Sequence, residues 1–254
     1  MFESGSRTRS GLLIWMSHPC WPTMVWQTYD YYLDPTAAYF GVKKACEPLH
    51  IQLNALSDSV EVVNLFAGDR PALTATATLY DVATAKALWT KRSKLSSSDD
   101  STTPVIKVTA PSLASAENSH NNKVYLLRLQ LKDKSGLVSQ NDYFIGSDEG
   151  NYAAIATLPQ PTLKQSVRLS DMSVKGNSAD NRRCAEVTVS NTGRTLAPFL
   201  RLNLKGEDGE QLLPVIYSDN YFSLLPGESR TITVQWNADD ARHQQPVIEV
   251  TSLN

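Results

Sequence analysis

The side chains of this 254-residue chain that could do acid, base or metal chemistry are 26 carboxylates, 4 histidines and 3 cysteines. His18, His50, His120 and His243 lie far apart and stand in no ligand spacing, so each reads as a surface or hydrogen-bonding histidine. Cys20, Cys46 and Cys184 are too few and too scattered for a disulfide framework or a zinc site, both of which need paired spacings. They read as buried free thiols. There is no Gly-rich phosphate loop, no His-Glu-x-x-His and no nucleophile-elbow serine. The carboxylates fall on strand edges and turns, where they are normally solvated, and no pair is marked out for acid–base work. Spacing therefore assigns this chain no catalytic residue, no metal and no cofactor.

One stretch could still do chemistry of another kind. Residues 17–41, "SHPCWPTMVWQTYDYYLDPTAAYFG", concentrate Trp21, Trp26, Tyr29, Tyr31, Tyr32, Tyr39 and Phe40. Aromatic rings stack on the apolar C–H faces of sugars, and the loop after a buried parallel strand is where a βα barrel keeps its site. Trp21, set in Cys-Trp-Pro directly after an apolar run, reads as a sugar contact. Trp26, Tyr29, Tyr31 and Tyr32 read instead as rings that anchor the following helix and the next domain.

The elements that would position these rings follow from periodicity. "GLLIWMS" (11–17) is a continuous apolar run, the pattern of a strand covered on both faces. Arginines precede it, which faintly imitates a signal peptide, but the run is short and no small-residue cleavage site follows. Asp34 reads as an N-cap, Pro35 as the first helical residue and Pro48 as the stop, with Tyr39, Val42 and Cys46 on one face. Residues 1–50 thus read as a single βα unit. A lone parallel strand cannot satisfy its backbone, and nothing later alternates strand and helix, so the unit reads as a piece of something larger.

From about residue 51 the period becomes two. Leu73, Ala75, Ala77 and Leu79 alternate with threonines, and further strands are expected at 50–56, 59–66, 88–95, 104–110, 124–132 and 137–145. Seven short strands with turn signals suggest an immunoglobulin-like sandwich over 51–161, with "SSSDDSTT" and "SAENSHNN" as exposed loops. The prolines of "LPQPTLKQ" mark a linker. A second sandwich is expected over 162–254, where Ala185, Val187, Val189, then Leu200, Leu202, Leu204, then Ile232, Val234, Trp236 alternate with polar residues. Its turns fall at 191–193, 207–210 and 225–228.

Charge excludes some partners. With 24 basic against 26 acidic side chains, no stretch is basic enough to follow a phosphate backbone, so no nucleic acid is expected. Lys91, Arg92 and Lys94 read as a solvated strand end. No run approaches the roughly 20 apolar residues that span a bilayer, so no membrane is expected either.

The segment 11–50 closely resembles the eighth strand, loop and last helix of family 2 glycoside hydrolases, in the branch of exo-β-D-glucosaminidases and β-mannosidases. The matching residues are Trp15 and Met16, Trp21 and Pro22, Trp26, Asp30 to Tyr32, Tyr39 to Gly41 and Lys43 to Pro48. "SDEGNYAAIATLP" and "LLPVIYSDNYFSLLPGESRTITVQW" are similar to the two immunoglobulin-like domains that follow the barrel in this branch. The resemblance implies a mainly β fold: two immunoglobulin-like β-sandwiches preceded by a single βα remnant, the last strand and helix of a TIM barrel.

It also implies a retaining enzyme acting on terminal β-linked glucosamine or mannose. The two catalytic glutamates of the family follow its fourth and seventh barrel strands, upstream of the eighth, so none is expected in this chain and the chain alone is expected to be inactive. Its partners would be carbohydrate and the missing N-terminal barrel and sugar-binding domains, and the parent would be exported to the periplasm or beyond. Ser17 and His18 stand where the family often has Asn and then Asn or Asp. His18 could replace one of these as a donor to a substrate hydroxyl. Trp21 and His18 are thus the expected substrate-binding residues. The rival expectation is a free-standing, non-catalytic carbohydrate-binding or adhesion module.

Overall fold

The computed structural model describes residues 11–23, 27–109, 123–146, 151–171, 181–241 and 244–254. Glu3, Trp26, His120, His243 and the "SAENSHNN" loop lie outside the described residues. By contact, the chain divides into one unit of residues 1–15 with 43–156 and another of residues 16–42 with 157–254.

In the first unit, seven antiparallel strands form two sheets among the described residues: β1 (Leu49–Asn54), β2 (Ser59–Asn64), β3 (Arg70–Asp81), β4 (Ala87–Ser97), β5 (Ser101–Lys107), β6 (Val124–Asp133) and β7 (Gly136–Gly146). One sheet has the order β1-β2-β5 and the other β4-β3-β6-β7. The period-two residues face each other across the gap. Leu73, Ala75, Ala77 and Leu79 of β3 join Leu127, Leu129 and Leu131 of β6 and pack on Ile51, Val60 and Val62. Such alternation leaves one face of each strand to pair polar groups laterally. Arg128 of β6 makes a two-pronged ion pair with Asp142 of β7, 2.8 and 2.7 Å. Gly136, at φ 130, takes a backbone conformation that side chains rarely adopt and allows the tight β6–β7 turn.

"SSSDDSTT" is less of a loop than expected. β4 runs through Ser97 and β5 begins at Ser101, with the Ser101 hydroxyl donating to the Ser98 carbonyl to close the bend. Lys91, Arg92 and Lys94 are exposed.

The second unit repeats the two-sheet plan with β8 (Leu163–Asp171), β9 (Arg182–Asn191), β10 (Ala197–Lys205), β11 (Val215–Tyr217), β12 (Phe222–Leu224), β13 (Ser229–Asn237) and β14 (Val247–Thr251). The sheets are β11-β13-β9-β8 and β12-β10-β14. Between them lie the three alternating sets expected: Ala185, Val187 and Val189; Leu200, Leu202 and Leu204; Ile232, Val234 and Trp236.

The N-terminal segment departs from expectation. Helix α1 (Ala37–Ala45) is present, but no strand forms over 11–16, and Leu12, Leu13, Ile14 and Trp15 are exposed. The run has the composition of a doubly covered strand without strands beside it, and an extended backbone is held only by neighbours that accept its hydrogen bonds. The helix also starts later than Asp34 and Pro35 suggested. The Thr36 carbonyl accepts the N–H groups of Tyr39 and Phe40, so Thr36 opens the helix and Asp34 is free for another role. Phe40, rather than Val42 or Cys46, is the buried residue of α1. Of the three cysteines only Cys184 is buried; Cys20 and Cys46 are exposed, which corrects the reading of all three as interior thiols. Cys46 lies just past α1, whose buried residue is Phe40, and Cys20 lies in an irregular stretch outside any helix or strand. His50 is buried, with Nδ1 2.7 Å from the Glu47 carbonyl, a hydrogen-bonding histidine as expected. Among the described residues no helix is long and apolar enough to cross a membrane.

Candidate substrate-facing loop

The aromatic stretch is organised around one aspartate. The Asp30 carboxylate accepts the N–H groups of Tyr32 (2.8 Å) and Asp34 (2.9 Å), while the Asp30 N–H donates to the Asp34 carbonyl at 3.0 Å. An Asp whose side chain bonds its own backbone two residues on makes a turn without glycine. Leu33, at φ 66, takes the left-handed position that this turn requires. The returning strands of the turn are tied by a bridge between Tyr29 and Pro35, and the Thr36 hydroxyl donates to the carbonyls of Gln27 and Thr28.

This turn holds the chain on either side. Upstream, the Tyr29 N–H and the Thr28 hydroxyl both donate to the Ser17 carbonyl at 3.0 Å, and Ser17 directly precedes His18. Downstream, rings run in series: Tyr29 on Tyr39 (5.2 Å between centroids), Tyr39 on Phe40 (5.1 Å) and Phe40 on Tyr221 of the sandwich (5.9 Å). Phe40 is counted into the core of the second unit. Asp34 meets the outward side of β10, where Arg201 Nη2 stands 2.6 Å from Asp34 Oδ2.

Burial sets the electrostatics here. It pushes the Asp34 carboxyl above the ordinary carboxylate pKa, while the side chains of Gln211 and Arg201 pull it back. It also raises the Tyr221 and Tyr217 phenols above their usual value. Both rings stay neutral across the physiological range.

His18 and Trp21 occupy the stretch tethered through Ser17. Both are exposed, Trp21 at 68%, whereas Pro19 between them is buried. Tyr31 and Tyr32 are exposed as well and meet edge to face at 5.1 Å; Tyr29 is half-buried against Tyr39. The anchoring expected of all these tyrosines thus falls to Tyr29. No group of carboxylates, histidines and cysteines that could hold a metal occurs among the described residues. Sequence reasoning missed Arg201, whose partner is 167 positions away, and misread Asp34 as a helix cap.

The family of Exo-beta-D-glucosaminidase Ig-fold domains matches residues 141–254. The exo-β-D-glucosaminidase of Streptomyces avermitilis is 34% identical over 98% of this chain, and that of Amycolatopsis orientalis 30% identical over all of it. The chain belongs to the exo-β-D-glucosaminidase and β-mannosidase branch of the family 2 glycoside hydrolases. It corresponds to the C-terminal part of that branch and spans 29% and 26% of the length of those two curated relatives. The crystal structure of Amycolatopsis orientalis exo-chitosanase CsxA has the same architecture, with a TM-score of 0.83 at 27% identity, covering 99% of this chain and 31% of that one. A plant member of the branch, the mannosylglycoprotein endo-β-mannosidase of Lilium longiflorum, is 28% identical over 89% of the chain.

Proposed function

We propose that this chain supplies the accessory β-sandwiches and one substrate-facing loop of a retaining exo-glycosidase that releases terminal β-linked glucosamine. Carbohydrate is the ligand class of the branch, and glucosamine rather than mannose is supported by the Streptomyces and Amycolatopsis relatives, both exo-β-D-glucosaminidases. The observation that carries the loop assignment is the ring of Trp21, 68% exposed on a loop tied down on both sides. A large apolar ring held in solvent by an ordered backbone is a stacking platform for a sugar face. His18, exposed three residues earlier, donates to a substrate hydroxyl. The acid and the nucleophile of the reaction come from glutamates of the barrel, outside these residues, and the enzyme works outside the cytoplasm, where polymeric glucosamine is met. The free-standing binding module is not favoured, because relatives matched along the whole chain are enzymes.

Two measurements test this. The purified chain, assayed on nitrophenyl β-glucosaminide, β-mannoside and β-galactoside, should show no turnover; hydrolysis abolished by mutating one of its own residues would overturn the division of labour. In a protein extended to the full length of the relatives, Trp21→Ala should lower kcat/KM on the glucosaminide by a factor equivalent to roughly 2 kcal/mol of lost stacking. An unchanged kcat/KM removes Trp21 from the site.

A further inference from the structure

We propose that Arg201, on the outward side of β10 in the C-terminal sandwich, is the positioning residue for the loop that carries His18 and Trp21. The sugar half of this inference rests on the reading of Trp21 given above; the positioning half does not.

The connection can be followed bond by bond. Arg201 Nη2 meets Asp34 Oδ2 at 2.6 Å. The Asp34 N–H and carbonyl are both bound by Asp30, through its carboxylate and its own N–H. The next residue back, Tyr29, donates its N–H to the Ser17 carbonyl, and the Thr28 hydroxyl donates to the same oxygen. Ser17 leads into His18 and Trp21. Five short contacts therefore join a sandwich side chain to the start of the exposed loop.

The physical weight falls on the first contact. The Asp34 side chain is only 10% exposed, so an ionised carboxylate there has surrendered most of its water. Removing Arg201 leaves such a charge buried with only the Gln211 side chain to offset it, which costs far more than the pair contributes. Asp34 regains water by leaving β10, and the Asp30 turn, which includes the Asp34 backbone, leaves with it. Phe40 stays behind, because its ring is held by Tyr221 and the core. The helix thus remains docked while residues 17–23 and 27–35 lose their reference point. A stacking platform that wanders gives up affinity through orientation rather than through any change in its own chemistry.

The test compares the full chain with Arg201→Met, Arg201→Lys and the double variant Arg201→Met with Asp34→Asn. Amide hydrogen exchange at Tyr29 and Asp34 reports loop order, with the ladder amides of β9 and β13 as the folding reference. Arg201→Met should raise exchange at Tyr29 by about tenfold or more while the reference amides hold, and Arg201→Lys should return part of the protection. The double variant, with neither charge, should be better ordered than Arg201→Met, a recovery that simple loss of packing would not give. Unchanged Tyr29 protection in Arg201→Met overturns the proposal. If Arg201→Met also loses the β9 and β13 protection, the double variant decides: a folded sandwich with an ordered loop supports the charge argument, and a disordered loop overturns it. A titration with glucosamine oligomers, read at the Trp21 indole signal, adds the sugar half. Affinity should fall about tenfold in Arg201→Met. Should Trp21 in the unaltered chain ignore the oligomers while Tyr29 exchange still follows Arg201, the sugar reading fails and the positioning role stands.

Discussion

The Asp34 carboxyl is held above the ordinary carboxylate pKa by burial, with Gln211 and Arg201 only partly offsetting it. A folded-state pKa above the unfolded one means that the native state binds the proton more tightly. The stability this gives is fully present below the unfolded pKa and is lost as pH rises through the raised value. Acidification within that window therefore stabilises the second unit through Asp34, opposite to the usual carboxylate. Asp34→Asn, which mimics the protonated form, should gain on the unaltered chain as pH rises from about 4 to 7, followed by thermal melts. A difference flat in pH contradicts this. Low pH should likewise restore loop order to Arg201→Met, since a neutral Asp34 needs no cation. Arg128 presents the simpler case of a buried pair: its side chain is 3% exposed against Asp142 at 18%, and Arg128→Ala should cost about 3 kcal/mol in denaturant melts of the first unit. At this scale little was legible beforehand. Asp34 before Pro35 has the look of a cap, and an Arg alternating with leucines in β10 has the look of a solvated face. Their meeting depends on which surface of the sandwich the turn reaches, and neither local sequence contains that.

At the scale of elements, alternation was legible wherever a strand has one covered face. β3, β9, β10 and β13 fall where the apolar residues alternate, because the period of the pleat and that of the residues are the same quantity. The run 11–16 was misread because its composition specifies coverage on two faces without supplying it. Helix α1 was placed nearly correctly, but its buried side was not: Phe40 wins over Val42 because the second unit offers Tyr221 and the core to it. Phe40→Ala should therefore cost about 3 kcal/mol in the unit containing Trp236. Two truncations separate the roles of these pieces. A chain beginning at Ser17 sheds exposed Leu12, Leu13, Ile14 and Trp15 and should scatter less light with its melting unchanged. One beginning at Leu49 also loses Phe40 and should melt lower.

At the scale of the whole molecule there are two cores, each with its own indole: Trp89 packs against the first and Trp236 lies in the second. Leu127→Ala and Leu202→Ala remove fully buried side chains from one core each and should cost about 3 kcal/mol apiece in the unit that carries the change. The fluorescence of Trp89 or Trp236, observed with the other four tryptophans replaced by Phe, shows which transition has moved. A shift of the Trp236 transition alone by Leu127→Ala would contradict the assignment of the cores. The paired sandwiches were legible from turn spacing. What was not legible is that residues 16–42 group with 157–254 rather than with the sandwich that follows them in sequence.

That grouping has a consequence in time. The core that takes in Phe40 is built from strands as late as β14, through Ile248. A ribosome adding about 5–20 residues per second needs roughly 10–40 s to pass from one to the other. For that interval Tyr29, Tyr39 and Phe40 are exported from the tunnel with nowhere to go, while an entire sandwich can fold between them and their destination. A segment made before both sandwiches is finished after them, and the growing chain must carry its stickiest residues through synthesis unclaimed.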